Sequence, residues 1–139
     1  MNQFQKLSQL LPVLYPKFYT ASDPAGNELV FLCTDQTPPV SVFQDVVPDR
    51  TACEAVENHV HLLDGPIRKR DMPAARCFST AVAEHLFQAL TCAYPDKTFL
   101  VFLTLHADGA IIRFHQCWPG EPPYYDETAS YDAELIVFH

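Results

Sequence analysis

Apolar residues alternate with polar ones at changing periods along this chain, and each change of period marks an element. Phe4, Leu7, Leu10, Leu11 and Leu14 fall near helical spacing, which predicts a short N-terminal helix fading at Pro12 or Pro16. SDPAGN is then a turn, and ELVFLCT, Glu28 to Thr34, has the continuous apolar character of a buried strand. Pro38 and Pro39 precede VSVFQDVV, an irregular or edge strand. Thr51 and Glu54, in T-A-C-E, have capping-box spacing and predict a helical turn or two. NHVHLLDG continues that helix or forms a strand, and periodicity leaves both open.

The clearest helix follows. Asp71 can cap it, Pro73 suits its first turn, and Phe78, Val82, Leu86, Ala89, Leu90 and Ala93 form one apolar stripe ending before Pro95. TFLVFLTLH and AIIRFHQCW flank Ala-Asp-Gly, a hairpin signal with Asp108-Gly109 as its two-residue turn. ELIVFH, Glu134 to His139, is a further strand able to dock beside that hairpin. The pattern predicts one domain over residues 1–139, of α+β class. Its sheet is mostly antiparallel, with a hairpin in the C-terminal half and a long helix packed on one face.

Nearly half the chain is apolar and no repeat or low-complexity tract interrupts it, which is globular composition. No apolar run reaches the eighteen or so residues that span a bilayer, and the N-terminus makes a poor signal peptide. A cytoplasmic protein without a membrane partner is expected. The five cysteines form no C-x-x-C pair and are expected as reduced thiols.

The formal charge of −8 is unevenly spread. Arg68, Lys69, Arg70 and Arg76 cluster, whereas no Lys or Arg follows Arg113, and Glu121, Asp126, Glu127, Asp132 and Glu134 all lie beyond it. Such an acidic end repels nucleic acid and attracts basic partners.

Candidate chemistry is sparse. No G-x-G-x-x-G, P-loop or nucleophile-elbow pattern is present, so no cofactor is expected. His59 and His61, with Asp64 beyond, would share one face of a strand but diverge on a helix, and a metal would need His106 or His115 as well. With the turn at Asp108-Gly109, His106 pairs with Ile111 and His115 lies opposite Leu103–Phe102. That separates the two by about 13 Å, too far for one zinc. Cys117 stands two residues past His115, where direct pairing of thiol and imidazole is strained. Ser79 and Ser130 have no flanking motif. Glu121 and Asp126 lie in WPGEPPYYDE, a solvated loop where carboxyls keep ordinary pKa values, poor for acid catalysis. No catalytic residues are assigned.

RFHQCWPGEPPYYD, Arg113 to Asp126, is the most distinctive stretch. Trp118, Tyr124 and Tyr125 stand among Pro119, Gly120, Pro122 and Pro123, which shape the backbone and lower the ordering cost on binding. Aromatics of this kind beside carboxylates form interface hot spots, or else they fold back over the open end of the sheet.

NHVHLLDGPIR (Asn58 to Arg68), the helix from Pro73, the strand FLVFLTL and RFHQCWPGEPPYYDE (Arg113 to Glu127) together cover about half the chain. In these segments it resembles small immunity proteins of bacterial polymorphic-toxin and contact-dependent growth inhibition systems. The resemblance implies a cytosolic, non-enzymatic binding protein that neutralises a cognate toxin domain, often a nuclease. From chemistry, Glu121, Asp126, Glu127 and Asp132 are expected to face a basic toxin cleft, with Trp118, Tyr124 and Tyr125 as apolar anchors. Two other readings stay open. One is a small metal-binding domain or enzyme using His59, His61 and Asp64. The other is a scaffold or homodimer joined through the edge strand ending at His139. The sequence does not decide between monomer and homodimer.

Overall fold

The computed structural model describes residues 2–34 and 49–139, so the strand expected at VSVFQDVV lies outside the described residues. In chain order the elements are α1 (Gln3–Leu14), β1 (Phe18–Ser22), β2 (Glu28–Leu32), α2 (Arg50–Glu57), β3 (His59–Asp64), α3 (Met72–Ala93), β4 (Phe99–His106), β5 (Gly109–Gln116) and β6 (Glu134–Phe138). A 3-10 turn, Lys69–Asp71, leads into α3. The strands form an antiparallel β1–β2 hairpin and a four-stranded antiparallel sheet of order β3-β5-β4-β6. The class is α+β.

Strand alternation places the core. Phe99, Val101, Leu103 and Leu105 of β4 pair with Gln116, Phe114, Ile112 and Ala110 of β5, so all eight point to one face. The apolar members of that set join Val82, Ala83, Leu86 and Leu90 of α3 and Val13 of α1 in one buried cluster. Phe102, Arg113 and His115 belong to the opposite face.

α1 opens with a reciprocal cap between Asn2 and Gln5 and continues through Pro12 to Leu14. It buries Val13 and half-buries Leu10 and Leu14, whereas Phe4, Leu7 and Leu11 of the expected stripe are exposed. α3 is rotated relative to its expected stripe. Phe78 and Ala93 are exposed, while Ser79 and Ala83 turn inward with Val82, Leu86 and Leu90. Ser79 and Ala83, both fully buried, are the small residues on the inward side of the helix. Asp71 does not cap this helix with its side chain; it accepts from Arg68 Nε at 2.7 Å.

The ambiguous NHVHLLDG segment is a strand, bulged between His61 and Leu63. The β4–β5 hairpin has a different register from the expected one. His106 pairs with Gly109 and His115 with Leu100, so Ala107 and Asp108 occupy the turn. Gly109 is required by β3: a Cβ at Gly109 would lie 2.4 Å from the Leu63 carbonyl oxygen, and its φ is 156°. The turn carbonyls of Ala107 and Asp108 accept from the Ile67 and Gly65 N–H groups. Contacts with the segment after β3 thus fix the turn position. Among the described residues, no helix is long and apolar enough to cross a membrane.

Candidate interaction surface

β3 pairs with β5 only as far as Arg113. Beyond that point, α2 lies along the outer edge of β5. The Phe114 N–H donates to the Asn58 carbonyl, and the Gln116 N–H donates to Glu54 Oε1 at 3.0 Å. The same helix covers the free edge of β2. Val30 N–H donates to Glu54 Oε2 at 2.8 Å, Leu32 N–H donates to Asn58 Oδ1 at 2.9 Å, and Asn58 Nδ2 donates to the Val30 carbonyl. Glu54 and Asn58, one helical turn apart, therefore satisfy two strand edges that would otherwise be buried without partners.

T-A-C-E is not a capping box. Asp49 is the N-cap, accepting from Ala52 N–H at 2.7 Å, because Glu54 is turned into the interior. Its carboxyl is 0 % exposed and accepts four N–H groups: Val30 N, Gln116 N, Gln116 Nε2 and Trp118 Nε1. Burial pushes the Glu54 pKa up, opposed by these donors.

The chain leaves the sheet at this carboxylate. Trp118 packs on Leu29, Phe31 and Cys53, and its indole N–H reaches Glu54 at 2.6 Å. The Arg50 guanidinium lies 4.6 Å from the Trp118 ring centroid and donates to Glu121 Oε2 at 2.5 Å. Glu121 Oε1 accepts the Thr51 N–H at 2.8 Å, in the first turn of α2. Burial raises the Glu121 carboxyl, but the Thr51 N–H and Arg50 outweigh it and hold the pKa below the usual range. Trp118 and Glu121, expected to face a partner, instead fasten the loop to α2. Sequence reasoning missed their partners Arg50 and Glu54, which are remote in the chain.

A second set of contacts holds the tyrosines. The Tyr124 N–H donates to His115 Nε2 at 3.1 Å, while His115 Nδ1 lies 2.7 Å from the Gln116 carbonyl. These contacts require the neutral tautomer protonated on Nδ1. His115 is 1 % exposed, and burial lowers its pKa. The Arg113 guanidinium lies 5.1 Å from the Tyr124 ring centroid, donates to the Tyr125 hydroxyl at 3.3 Å and to the Ala55 carbonyl at 2.9 Å. Tyr125 packs edge-on against Phe102, Tyr124 and Tyr131. Trp118 and Tyr125 have folded back, onto Leu29, Phe31 and Cys53 and onto Phe102 respectively, as in the second of the two arrangements expected for this loop, whereas Tyr124 stays at the surface.

What remains outward is narrower than expected. Tyr124 is 37 % exposed, Tyr125 is half-buried, and Asp126, Glu127, Tyr131 and Asp132 are exposed. Tyr131 was not singled out from sequence. Its hydroxyl accepts the Asp126 N–H at 2.9 Å, and Asp126 Oδ1 in turn accepts from the Thr128 hydroxyl and N–H. Those Thr128 bonds hold the Asp126 pKa down. The ordinary carboxyl pKa values expected at Glu121 and Asp126 are thus corrected: both are lowered by hydrogen bonding.

The other candidates are placed apart. His59 and His61 share one face of β3 with ring centroids 5.6 Å apart, and His61 Nδ1 is 3.9 Å from Asp64 Oδ1. His59 Nδ1 is 2.6 Å from the Val56 carbonyl. His115 has both ring nitrogens engaged, and His106 lies six residues away along the paired strand, about 20 Å rather than the expected separation. Among the described residues, no cluster of three His, Cys, Asp or Glu could hold a metal. His115 is not free to act as a base for Cys117, whose thiol burial pushes up. Burial and the neighbouring carboxylates push Cys53 up to about 12. No protein family matches this chain, and neither the curated proteins nor the solved structures compared with it are similar.

Proposed function

We propose that this protein is an immunity protein that binds and neutralises a basic toxin domain in the cytoplasm. The observation that carries the reading is a fixed acidic and aromatic surface. Tyr124, Asp126 and Tyr131 are fixed at the surface by bonds to His115 and to one another, in a loop anchored through Trp118 to Glu54, and Glu127 and Asp132 are exposed next to them in the chain. No Lys or Arg follows Arg113, and Arg113 itself is enclosed by Tyr124, Tyr125 and the Ala55 carbonyl. A nuclease needs a basic cleft for its substrate, and a preordered acidic surface can occupy such a cleft as a phosphate mimic. Tyrosine supplies contact area at low entropic cost.

Co-expression with the C-terminal domain encoded by the reading frame immediately upstream tests this. The expected result is rescue of growth and a stable one-to-one complex that weakens with salt. A toxic domain that neither binds this protein nor is neutralised by it would sink the proposal.

A further inference from the structure

β6 borders the four-stranded sheet, and its hydrogen-bonding strand partner among the described residues is β4. The direction of its backbone groups follows from the register. Cys117 N–H bonds the Thr98 carbonyl across β4, while Phe114 N–H bonds Asn58 on the opposite side. Odd-numbered residues of β5 therefore direct their backbone groups toward β4, and Leu100, Phe102 and Thr104, paired with His115, Arg113 and Ile111, answer them. Val101, Leu103 and Leu105 then serve Phe138, Ile136 and Glu134 of β6. The N–H and C=O groups of Leu135 and Val137 are left pointing away from the sheet.

Such edges are usually blunted by a bulge, a proline, a lysine or a covering element. α2 covers β2, and β3, at the other border, is bulged. β6, Glu-Leu-Ile-Val-Phe, has no proline or lysine and no bulge against β4, and its one charged residue, Glu134, is paired with Arg76 of α3. Beside it runs a groove of about 380 Å³ whose lining includes Glu127, Ser130, Tyr131, Leu135 and Val137. Asp126 and Asp132 are close in sequence to Glu127 and Tyr131 and are exposed, whereas Glu134 at the start of β6 is already paired with Arg76.

We propose that an extended segment of the partner adds to this sheet alongside β6, with an apolar centre against Leu135 and Val137 and basic flanks against Glu127 and its acidic neighbours. Main-chain hydrogen bonds to Leu135 and Val137 supply affinity, and the groove selects side chains. Charge decides against a second copy of this chain, which would bring the same acids to its own edge. Assigning the segment to a toxin rests on the function proposed above, but the edge chemistry can be tested without it.

The probe is a short fluorescent peptide with an alternating Val/Thr centre between lysines, compared with the same peptide flanked by glutamates. The lysine form is expected to bind and to slow hydrogen exchange at the Leu135 and Val137 amides. Val137→Pro removes an outward N–H without removing a bond to β4, and Leu135→Pro does the same at the other position. Each is expected to weaken binding by about tenfold or more, with the fold checked by circular dichroism. Equal binding by the folded variants, or by the glutamate peptide, would overturn the proposal. So would a dimer that Val137→Pro disperses, or Leu135 and Val137 amides already protected in the free monomer. Growth rescue that survives Val137→Pro would sink strand addition alone, whereas peptide binding without neutralisation of the toxin would sink the immunity reading alone.

Discussion

The indole N–H of Trp118 donates to the carboxylate of Glu54 at 2.6 Å across 64 residues of chain. This bond joins the start of the acidic loop to the group that also ties β2 to β5. One side chain therefore supports both the architecture and the surface, and its removal should be felt in both.

Glu54→Ala should destabilise the fold by about 3 kcal/mol or more, because it leaves buried N–H groups of Val30 and Gln116 unpaired. Trp118→Phe keeps the apolar packing and loses one bond, so about 1–2 kcal/mol is expected. Chemical denaturation measures both. A loss below 1 kcal/mol for Glu54→Ala would show that water replaces the network.

Glu121 and Asp126 should separate in their effects. Glu121→Lys breaks the Arg50 pair and uncaps Thr51, so the melting temperature should fall; the neutral Glu121→Ala should cost about 1–2 kcal/mol. Asp126→Lys with Glu127→Lys gives up the exposed Thr128 bonds to Asp126, so stability should fall only slightly while toxin binding weakens by orders of magnitude. Paired thermal melts and titrations check the split, which fails if Glu121→Lys melts like the wild type.

Acid should loosen the loop through His115. Burial holds its folded pKa below the ordinary 6.5, so its contribution is fully present above that value and is lost as pH falls toward the folded pKa. Protonation would place a hydrogen on Nε2 against the Tyr124 N–H. Glu54 acts in the opposite sense: its raised pKa favours the fold below the ordinary 4.5, an advantage lost as pH rises through the folded value. Stability measured against pH in wild type and His115→Gln should diverge below about 6.5. Parallel curves would remove His115 as the cause.

Ser79 is fully buried on α3, and its hydroxyl has no hydrogen-bond partner among the described residues. Ser79→Ala should therefore be neutral or stabilise by about 1 kcal/mol. Denaturant midpoints would show it, and a marked loss would reveal a partner for the hydroxyl.

Much of this fold was legible because its strands and its long helix announce themselves locally. Phe99 to His106 and Gly109 to Gln116 are uninterrupted β-rich runs, and ELIVF found its place beside them. Details set by distant chain were not legible. Thr51 and Glu54 have capping-box spacing, yet the donors that claim Glu54 lie 24 and 62 residues away. The hairpin turn was displaced because Gly109 is needed for the approach of Leu63, a contact between strands that no dipeptide signal encodes. Trp118, Tyr124 and Tyr125 were marked by residue type, but which of their atoms face outward is set by contacts with residues such as Arg50, Glu54, His115 and Arg113, which residue type does not encode.

Residues 118 to 126 are bonded at Trp118, Glu121, Tyr124, Tyr125 and Asp126 before any partner arrives. Their conformational entropy is surrendered when the chain folds. A partner meeting this loop therefore encounters a template in place of a flexible tether, and association should involve little rearrangement of the 118–126 backbone.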